Sequence, residues 1–454
     1  MLRVTNPATG ALLAELTVDT PADIGRKVAV ARAAQPAWAR TPLGERAAAL
    51  ARFGEALRAD VEPLARLLSE EMGKPIAQAR SEITATQGRL EFFLAHTAAV
   101  LADEVVFDDG GVCERIGWEP LGVVANVSAW NYPYFVGVNV FAPALLTGNA
   151  VLYKPSELAS RTGLAIAARL HAAGVPVEVL QPVIGAGAVG AALVAADVDA
   201  IFFTGSYPTG VRIAQAAASR LLRLQLELGG KDPVYVCDDA PVDSVAAAVA
   251  DGAFYNTGQS CCAVERIYVH RAVAARFIEA FVAQVRGFVV GDPHDERTYI
   301  GPLARGAQLA VLAAQVADAH GQGARLLIGG ARLAGPGQYF APTVLGDVDH
   351  RMTVMREESF GPLIGIQVVA DDAEAAARMR ETTYGLTAAV YTPERGRAER
   401  LLAGLAVGSA YWNCCDRVSP RLPWSGRRHS GLGLTLSTHG IRAFVQPKAW
   451  HLRA

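Results

Sequence analysis

Several things are scarce in this chain. Charged residues make up only 19% of its 454 positions, against 51% hydrophobic ones, which excludes a disordered chain and fits a well-buried globular protein. Neither sign of charge is in excess. Formal net charge is -2 and no basic stripe occurs, so electrostatics gives no reason to expect a nucleic-acid partner. The six cysteines are too few for a disulfide framework in so long a chain. Two vicinal pairs, Cys261-Cys262 and Cys414-Cys415, also argue against ordinary bridges and point to a reducing cytoplasm. The nine histidines show no His-x-x-x-His or Cys/His grouping suited to zinc, so no metal site is expected. No serine stands in a Gly-x-Ser-x-Gly elbow, which removes the usual hydrolase reading. The N-terminus lacks the charged-then-apolar pattern of a signal peptide.

The chain is longer than one hydrophobic core usually supports, so two or three domains are expected. One region raises the membrane question, because no charged residue stands between Glu119 and Lys154. Asn126, Asn131, Pro133, Asn139, Pro143 and Asn149 are spread through it, and such residues are costly in lipid. A buried strand, a loop and a buried helix fit it better, and no membrane association is expected.

Residues 21–104 read as helices. Thr20-Pro21-Ala22-Asp23 supplies a cap and a first-turn proline, and two further helical stretches run about 43–72 and 75–101. Val105-Val-Phe107, then Asp108-Asp-Gly-Gly111, then a run to Trp118, predict a hairpin. From Leu121, short apolar runs at 121–127, 150–153, 179–184, 200–203 and 233–236 alternate with helical stretches at 158–173, 187–196 and 208–219. A second set follows, with helices near 241–254, 272–288 and 304–321 and strands near 266–269, 325–328, 364–369 and 388–391. This alternation predicts an α/β fold with two doubly wound, mainly parallel halves. The tail from Ile441 to Leu452 reads as a strand.

Three stretches are chemically suggestive. Gly185-Ala-Gly187-Ala-Val-Gly190 matches G-x-G-x-x-G between a strand and a helix, a pattern that lets backbone approach a pyrophosphate. The acid expected about twenty residues on is missing, since Thr204-Gly205-Ser206 stands there. Lys154-Pro-Ser-Glu157 follows a strand end, where a lysine can meet a phosphate and a carboxylate a ribose diol; a solvated turn is the plainer alternative. Phe254–Arg266 carries the adjacent thiols Cys261 and Cys262 behind a Gly-Gln turn. A helix start or a nearby cation makes such a thiol nucleophilic, and burial as a small hydrophobe is the competing reading.

Trp130-Asn131-Tyr132-Pro133, Glu227-Leu-Gly-Gly-Lys231, Gly258-Gln-Ser-Cys261 and Glu357-Glu358-Ser-Phe360-Gly-Pro362 occur in one chain. Together they resemble the NAD(P)-dependent aldehyde dehydrogenase superfamily, from Asn6-Pro-Ala-Thr-Gly10 to Ser430-Gly-Leu-Gly433 and in that family's order. The resemblance implies that Cys261 is the nucleophile, Asn131 an oxyanion-hole donor and Glu227 the base that activates water for thioester hydrolysis. It implies coenzyme contacts at Lys154 and Glu157 (adenosine ribose), Gly205 and Ser206 (phosphate), Trp130, Glu358 and Phe360 (nicotinamide half). Families of this kind bind the dinucleotide without the standard glycine fingerprint, which accounts for the missing acid. A carboxylate at Glu157 repels a 2′-phosphate, so NAD is expected over NADP.

The resemblance also places a coenzyme-binding domain at 1–104 and 119–227 and a catalytic domain at 228–427. A small β oligomerisation arm is placed at 105–118 and 436–454, implying a homodimer or homotetramer. Tyr132, Tyr255 and Trp424 match tunnel positions that are aromatic in betaine- and aminoaldehyde dehydrogenases, where ring faces attract ammonium groups. Asn139 replaces both the fourth aromatic and the carboxylate-binding arginine found there in one succinate semialdehyde dehydrogenase group. The expected substrate is therefore an amino- or other small aldehyde or semialdehyde. Two other classes compete. A CoA-acylating enzyme is disfavoured by the retained Glu227, and a non-catalytic homologue by the presence of Cys261, Asn131 and Glu227 together. Cys262 is read as pocket lining and Arg266 as structural.

Overall fold

The structure, a computed structural model, describes residues 1–453. Its first sheet runs in the order Gly431–Leu432, Arg223–Glu227, Ala200–Thr204, Val123–Val127, Ala150–Lys154, Leu180–Pro182. All neighbours are parallel except the first pair. Val123–Val127 and Ala150–Lys154 are buried on both faces, which is why they read as unbroken apolar runs rather than alternating ones. The chain leaves Val123–Val127 first to one side and later returns to the other. That reversal is a topological switch point, where open α/β sheets hold ligands at the carboxyl ends of their strands.

Helices cover the sheet. Pro21–Arg40 starts with a reciprocal capping box, in which Thr20 Oγ1 accepts from the Asp23 amide (3.2 Å) and the Asp23 carboxylate from the Thr20 amide (2.8 Å). Ile76–Val100 packs along Pro133–Leu146, the apolar helix inside the charge-free region, and both contribute to one large core.

The second sheet runs Arg325–Ile328, Thr343–Gly346, Leu363–Val369, Val264–His270, Asp232–Val236, Thr387–Tyr391, Ser409–Trp412, parallel but for its first pair. Four residues separate the end of Arg223–Glu227 in one sheet from the start of Asp232–Val236 in the other. The carboxyl edge of the first sheet therefore meets the amino edge of the second. A third sheet pairs Val445–Arg453 with Val112–Pro120 in register from Val445↔Pro120 to Arg453↔Val112, with Glu104–Asp108 outside it. Among the described residues, no helix is long and apolar enough to cross a membrane.

The alternation of strand and helix predicted from the sequence is present, with several differences, and the second half holds further elements at Thr343–Gly346, Asp372–Arg380, Arg395–Ala403 and Ser409–Trp412. The stretch 43–72 is two helices, Leu43–Ala59 and Val61–Met72, because Asp60 leaves helical geometry between them. The run 233–236, grouped with the first strands, belongs to the second sheet. The tail is not a strand from Ile441: Ser437–Arg442 is helical, and pairing starts at Val445. Leu436, Ile441 and Phe444 are drawn into the first core, so burial overrides extended propensity there. The short antiparallel pair Leu2–Thr5 and Leu12–Leu16 has no counterpart in the sequence reading.

Candidate active site

Parallel strands end at one edge, so residues far apart in sequence become neighbours there. Trp130 and Asn131 follow Val123–Val127, Lys154 closes its strand, Gly205 and Ser206 follow Ala200–Thr204, and Glu227 closes Arg223–Glu227. Facing them are Cys261, just before Val264–His270, and Glu358 and Phe360, just before Leu363–Val369. At Gly230 an added Cβ would lie 2.7 Å from the Cys261 carbonyl oxygen, so the turn after Glu227 packs directly on the backbone of the thiol.

Glu227 is 6% exposed. Its Oε1 accepts from Gln225 Nε2 (2.8 Å) and Thr435 Oγ1 (3.3 Å), while Oε2 is buried without a partner. Burial pushes its pKa well above the ordinary carboxylate range, although the Thr435 and Gln225 hydrogen bonds pull the other way. Such a group takes and releases protons at higher pH than a solvated glutamate. Thr435 arrives because Gly431–Leu432 pairs with Arg223–Glu227 and Thr435 then pairs its backbone with Trp424.

The thiol loop is strained and tied down. Asn256 and Thr257 adopt φ of +54° and +60°, a left-handed conformation costly for a β-branched residue. Such strain persists only when surroundings over-determine it. Here the Asn256 amide donates to Gln78 Oε1 (2.8 Å), and its Nδ2 to the carbonyls of Asn131 and Gln259 (both 3.1 Å). Gln259 Oε1 accepts from the Ala304 amide (3.0 Å). Asn131, 5% exposed, donates Nδ2 to the Gln259 carbonyl (3.1 Å), so its side-chain amide belongs to the same knot as the thiol loop. Cys261 is half-buried, whereas Cys262 is buried and donates its thiol to Asp416 Oδ1 (2.8 Å). The Cys262 pKa is pushed well up, first by hydrogen bonding with Cys261 and then by burial and the Asp416 charge. Only the thiolate is a strong nucleophile, so Cys262 is held in the less reactive form.

Among the residues expected to contact the coenzyme, Phe360 sits at φ +46° and meets Trp130 edge to face with centroids 5.6 Å apart. Glu265 holds that bend by accepting the Ser359 and Phe360 amides (both 3.0 Å), and it is ion-paired to fully buried Lys231. Half-buried Glu358 accepts the Gly230 amide (3.1 Å), and burial with the nearby Glu265 charge pushes its pKa up to about 8. Lys154 is 3% exposed, donates to the Pro155 carbonyl (3.2 Å) and lies 3.9 Å from the Glu157 carboxylate. Burial lowers its pKa.

The residues fit a dinucleotide on a direct observation. Helices Gly187–Ala195 and Tyr207–Ala218 both start with no side-chain cap and no acid in the first turn. Ser206 Oγ turns instead to Thr209 Oγ1 (3.1 Å), leaving the helix amides for an anion such as a pyrophosphate. The G-x-G-x-x-G glycines thus open a helix, and Gly190 lies against the Lys154 stem.

The three aromatic positions expected to line a tunnel have different surroundings. Tyr132 stacks on Phe135 with ring centroids 5.8 Å apart, and burial, then the Asp416 charge, pushes its pKa well up. Trp424 is buried, and its backbone pairs with Thr435 at 2.8 and 2.9 Å. Asn139, which breaks the aromatic set, accepts a hydrogen bond from Arg89 Nη1 at 2.7 Å. Sequence reasoning did not single out Gln78, Arg89, Glu265, Asn256, Asp416 or Thr435. Lys231 and Glu265 stood inside or beside the quoted motifs and could have been found there. Arg89, Gln78 and Thr435 sit in featureless stretches, and only the fold brings them in. Arg266 is fully buried and donates to the Lys231 carbonyl (2.8 Å) and Tyr268 hydroxyl (3.0 Å), a structural role. Among the described residues, no group of three or more His, Cys, Asp or Glu is placed to hold a metal ion.

Comparison with known proteins gives a consistent picture. The family model described as "Aldehyde dehydrogenase family" matches residues 1–450. The chain is 36% identical over 449 residues to a betaine aldehyde dehydrogenase of Rhizobium leguminosarum bv. trifolii, covering 97% of this chain and 92% of that protein. It is 37% identical over 445 residues to a betaine aldehyde dehydrogenase of Cereibacter sphaeroides, covering 98% and 92%. Lactaldehyde dehydrogenase from Escherichia coli superposes with a TM-score of 0.96 at 31% identity, covering 100% of this chain and 95% of that one. An indole-3-acetaldehyde dehydrogenase solved with NAD+ gives 0.96 at 32% identity, covering 100% and 93%.

Proposed function

The chain belongs to the aldehyde dehydrogenase family and is an NAD(P)-dependent oxidoreductase, and from that premise we propose that it works through a covalent thioester on Cys261. The Cys261 thiolate adds to the aldehyde carbon, forming a C–S bond and an alkoxide. Asn131 Nδ2 and the Cys261 amide are the donors proposed for that oxygen, acting where charge develops. NAD(P)+, when bound, supplies the acceptor for the hydride that leaves as the alkoxide collapses to the thioester. Lys154, Glu157, Gly205, Ser206, Trp130, Glu358 and Phe360 are the residues proposed to hold it. Glu227 then takes a proton from water, which attacks the thioester carbon. The C–S bond breaks, and the carboxylate and free thiol are released.

The observation that carries this reading is the pairing of a half-buried thiol at Cys261 with a base of raised pKa at Glu227, on facing edges of two sheets. A retained base of this kind suits water rather than CoA as the acceptor. We propose division of the chain into coenzyme and catalytic domains at 227/228, and assembly through the third sheet into a homodimer or homotetramer.

The test is aldehyde-dependent NADH formation by the purified chain without CoA. The parent and Cys262→Ala are expected to turn over, and Cys261→Ala is not. NADH that appears only when CoA is added overturns the hydrolytic reading. A higher kcat/KM with NADP than with NAD overturns the coenzyme preference drawn from Glu157.

A further inference from the structure

The Ile76–Val100 helix sends Arg89 inward, 94% buried, and the chemistry above gives it no task. Its Nη1 donates to Asn139 Oδ1 (2.7 Å) and to the Phe135 carbonyl (3.3 Å), and its Cζ lies 3.9 Å from the Phe135 ring centroid. Phe135 in turn stacks on Tyr132 at 5.8 Å. The guanidinium is therefore aimed by two neutral oxygens and a ring, with no hydrogen bond from Nε or Nη2 to any described residue. Tyr132 directly follows Asn131 in the chain, so the Phe135–Tyr132 stack joins the guanidinium to the proposed oxyanion-hole residue. Burial brings its pKa down to about 10, so it remains a cation at neutral pH.

A buried cation without a counter-ion is costly, and an open guanidinium fork matches a carboxylate in a bidentate way. Glu82, on the same helix, is already taken: it is ion-paired to Lys74, both side chains being essentially inaccessible, and also accepts the Tyr134 amide (2.9 Å). Asp416, on the Cys262 side, is engaged by the Cys262 thiol. We infer that Arg89, aimed by Asn139, is a specificity residue that receives the carboxylate of an aldehyde whose far end is acidic, an ω-oxo acid.

The same surroundings disfavour an ammonium substrate at this point. Lys74 Nζ already lies 3.9 Å from the centroid of the Tyr132 ring, so one of the three tunnel aromatics is engaged by a cation of the protein itself. A second positive charge at Arg89 repels an ammonium group further. The arginine missing at position 139 is thus supplied from another helix, with Asn139 as its support.

This inference rests on the aldehyde-oxidising reading proposed above, and its test separates the two. kcat/KM is measured for the matched pairs 4-oxobutanoate with butanal and 5-oxopentanoate with pentanal, and for 4-aminobutanal. The parent is expected to favour an oxo acid over its matched aldehyde by at least about 10-fold, the scale of a charge-assisted bidentate contact. Arg89→Gln is expected to lose about 10- to 100-fold on the oxo acid, mainly in KM, with the plain aldehyde unchanged. Asn139→Asp leaves Arg89 in place but gives it a carboxylate, and is expected to erase the preference as well. No carboxylate preference in the parent, an equal loss on both members of a pair, or 4-aminobutanal as the best substrate overturns the inference while leaving aldehyde oxidation standing. Absence of NADH with every aldehyde overturns both.

Discussion

Replacing Glu227 with glutamine separates the two halves of the proposed reaction. Glutamine has the same shape, and its carbonyl oxygen can keep the bonds from Gln225 Nε2 (2.8 Å) and Thr435 Oγ1 (3.3 Å). Its amide nitrogen takes the place of Oε2, which has no partner to lose. The fold should persist, and with a gain. A carboxyl whose pKa is raised by folding favours the folded state fully below its unfolded value of 4.5, and that advantage disappears as pH rises through the folded value. Near neutral pH, Glu227→Gln is therefore expected to be as stable as the parent or more stable, by about 1–3 kcal/mol, the cost of a poorly satisfied buried polar group. Below pH 4.5 the two should converge. Kinetically, removing a positioned base slows its step about 100- to 10,000-fold. C–S bond formation and hydride loss continue, so rapid mixing with aldehyde and NAD should give a burst near one NADH per active site, then slow turnover. The parent kcat should rise with pH through a pKa above the ordinary carboxylate range, and the variant should lack that limb. Unchanged steady-state turnover refutes the assignment. Loss of the burst itself places Glu227 at thiol deprotonation instead.

Two further substitutions probe the supports. Asn131→Ala removes the donor proposed for the oxyanion and its bond to the Gln259 carbonyl, and kcat/KM should fall about 100- to 1,000-fold in steady-state assays with near-normal coenzyme affinity; a loss under 10-fold places the main donor elsewhere. Lys231→Met leaves Glu265 as a buried charge beneath the Ser359–Phe360 bend, so urea denaturation should show a loss of about 3–5 kcal/mol, partly restored by Lys231→Met/Glu265→Met. A single variant as stable as the parent would show that the pair is dispensable.

How much of this was legible in sequence depended on the kind of force involved. Val123–Val127 and Ala150–Lys154 announce themselves because strands buried on both faces must be apolar at every position. The thiol loop and the Glu227 turn stood out as candidates because their residue types are tied to chemistry at fixed spacing. The break at Asp60 and the helix Ser437–Arg442 were not, because propensity is weak beside what a segment packs against. Least legible was Arg89. Its meaning comes from Asn139, 50 residues away, and reading position 139 alone gave only an absence. A charge supplied from one helix and aimed by the next leaves no local pattern.

The short pairing of Gly431–Leu432 on the strand that ends at Glu227 has a consequence for the order in which the enzyme is made. Glu227 and the Thr435 hydroxyl that steadies it are 208 residues apart. At ribosomal rates of about 5–20 residues per second, that gap lasts roughly 10–40 s. The Cys261 loop emerges within it, while Glu227 still lacks Thr435 and Trp424 has yet to be made. A nascent chain thus carries its thiol for some time before the rest of the pocket can close around it. The pocket is completed only late in synthesis, when this C-terminal segment folds back onto a strand made long before.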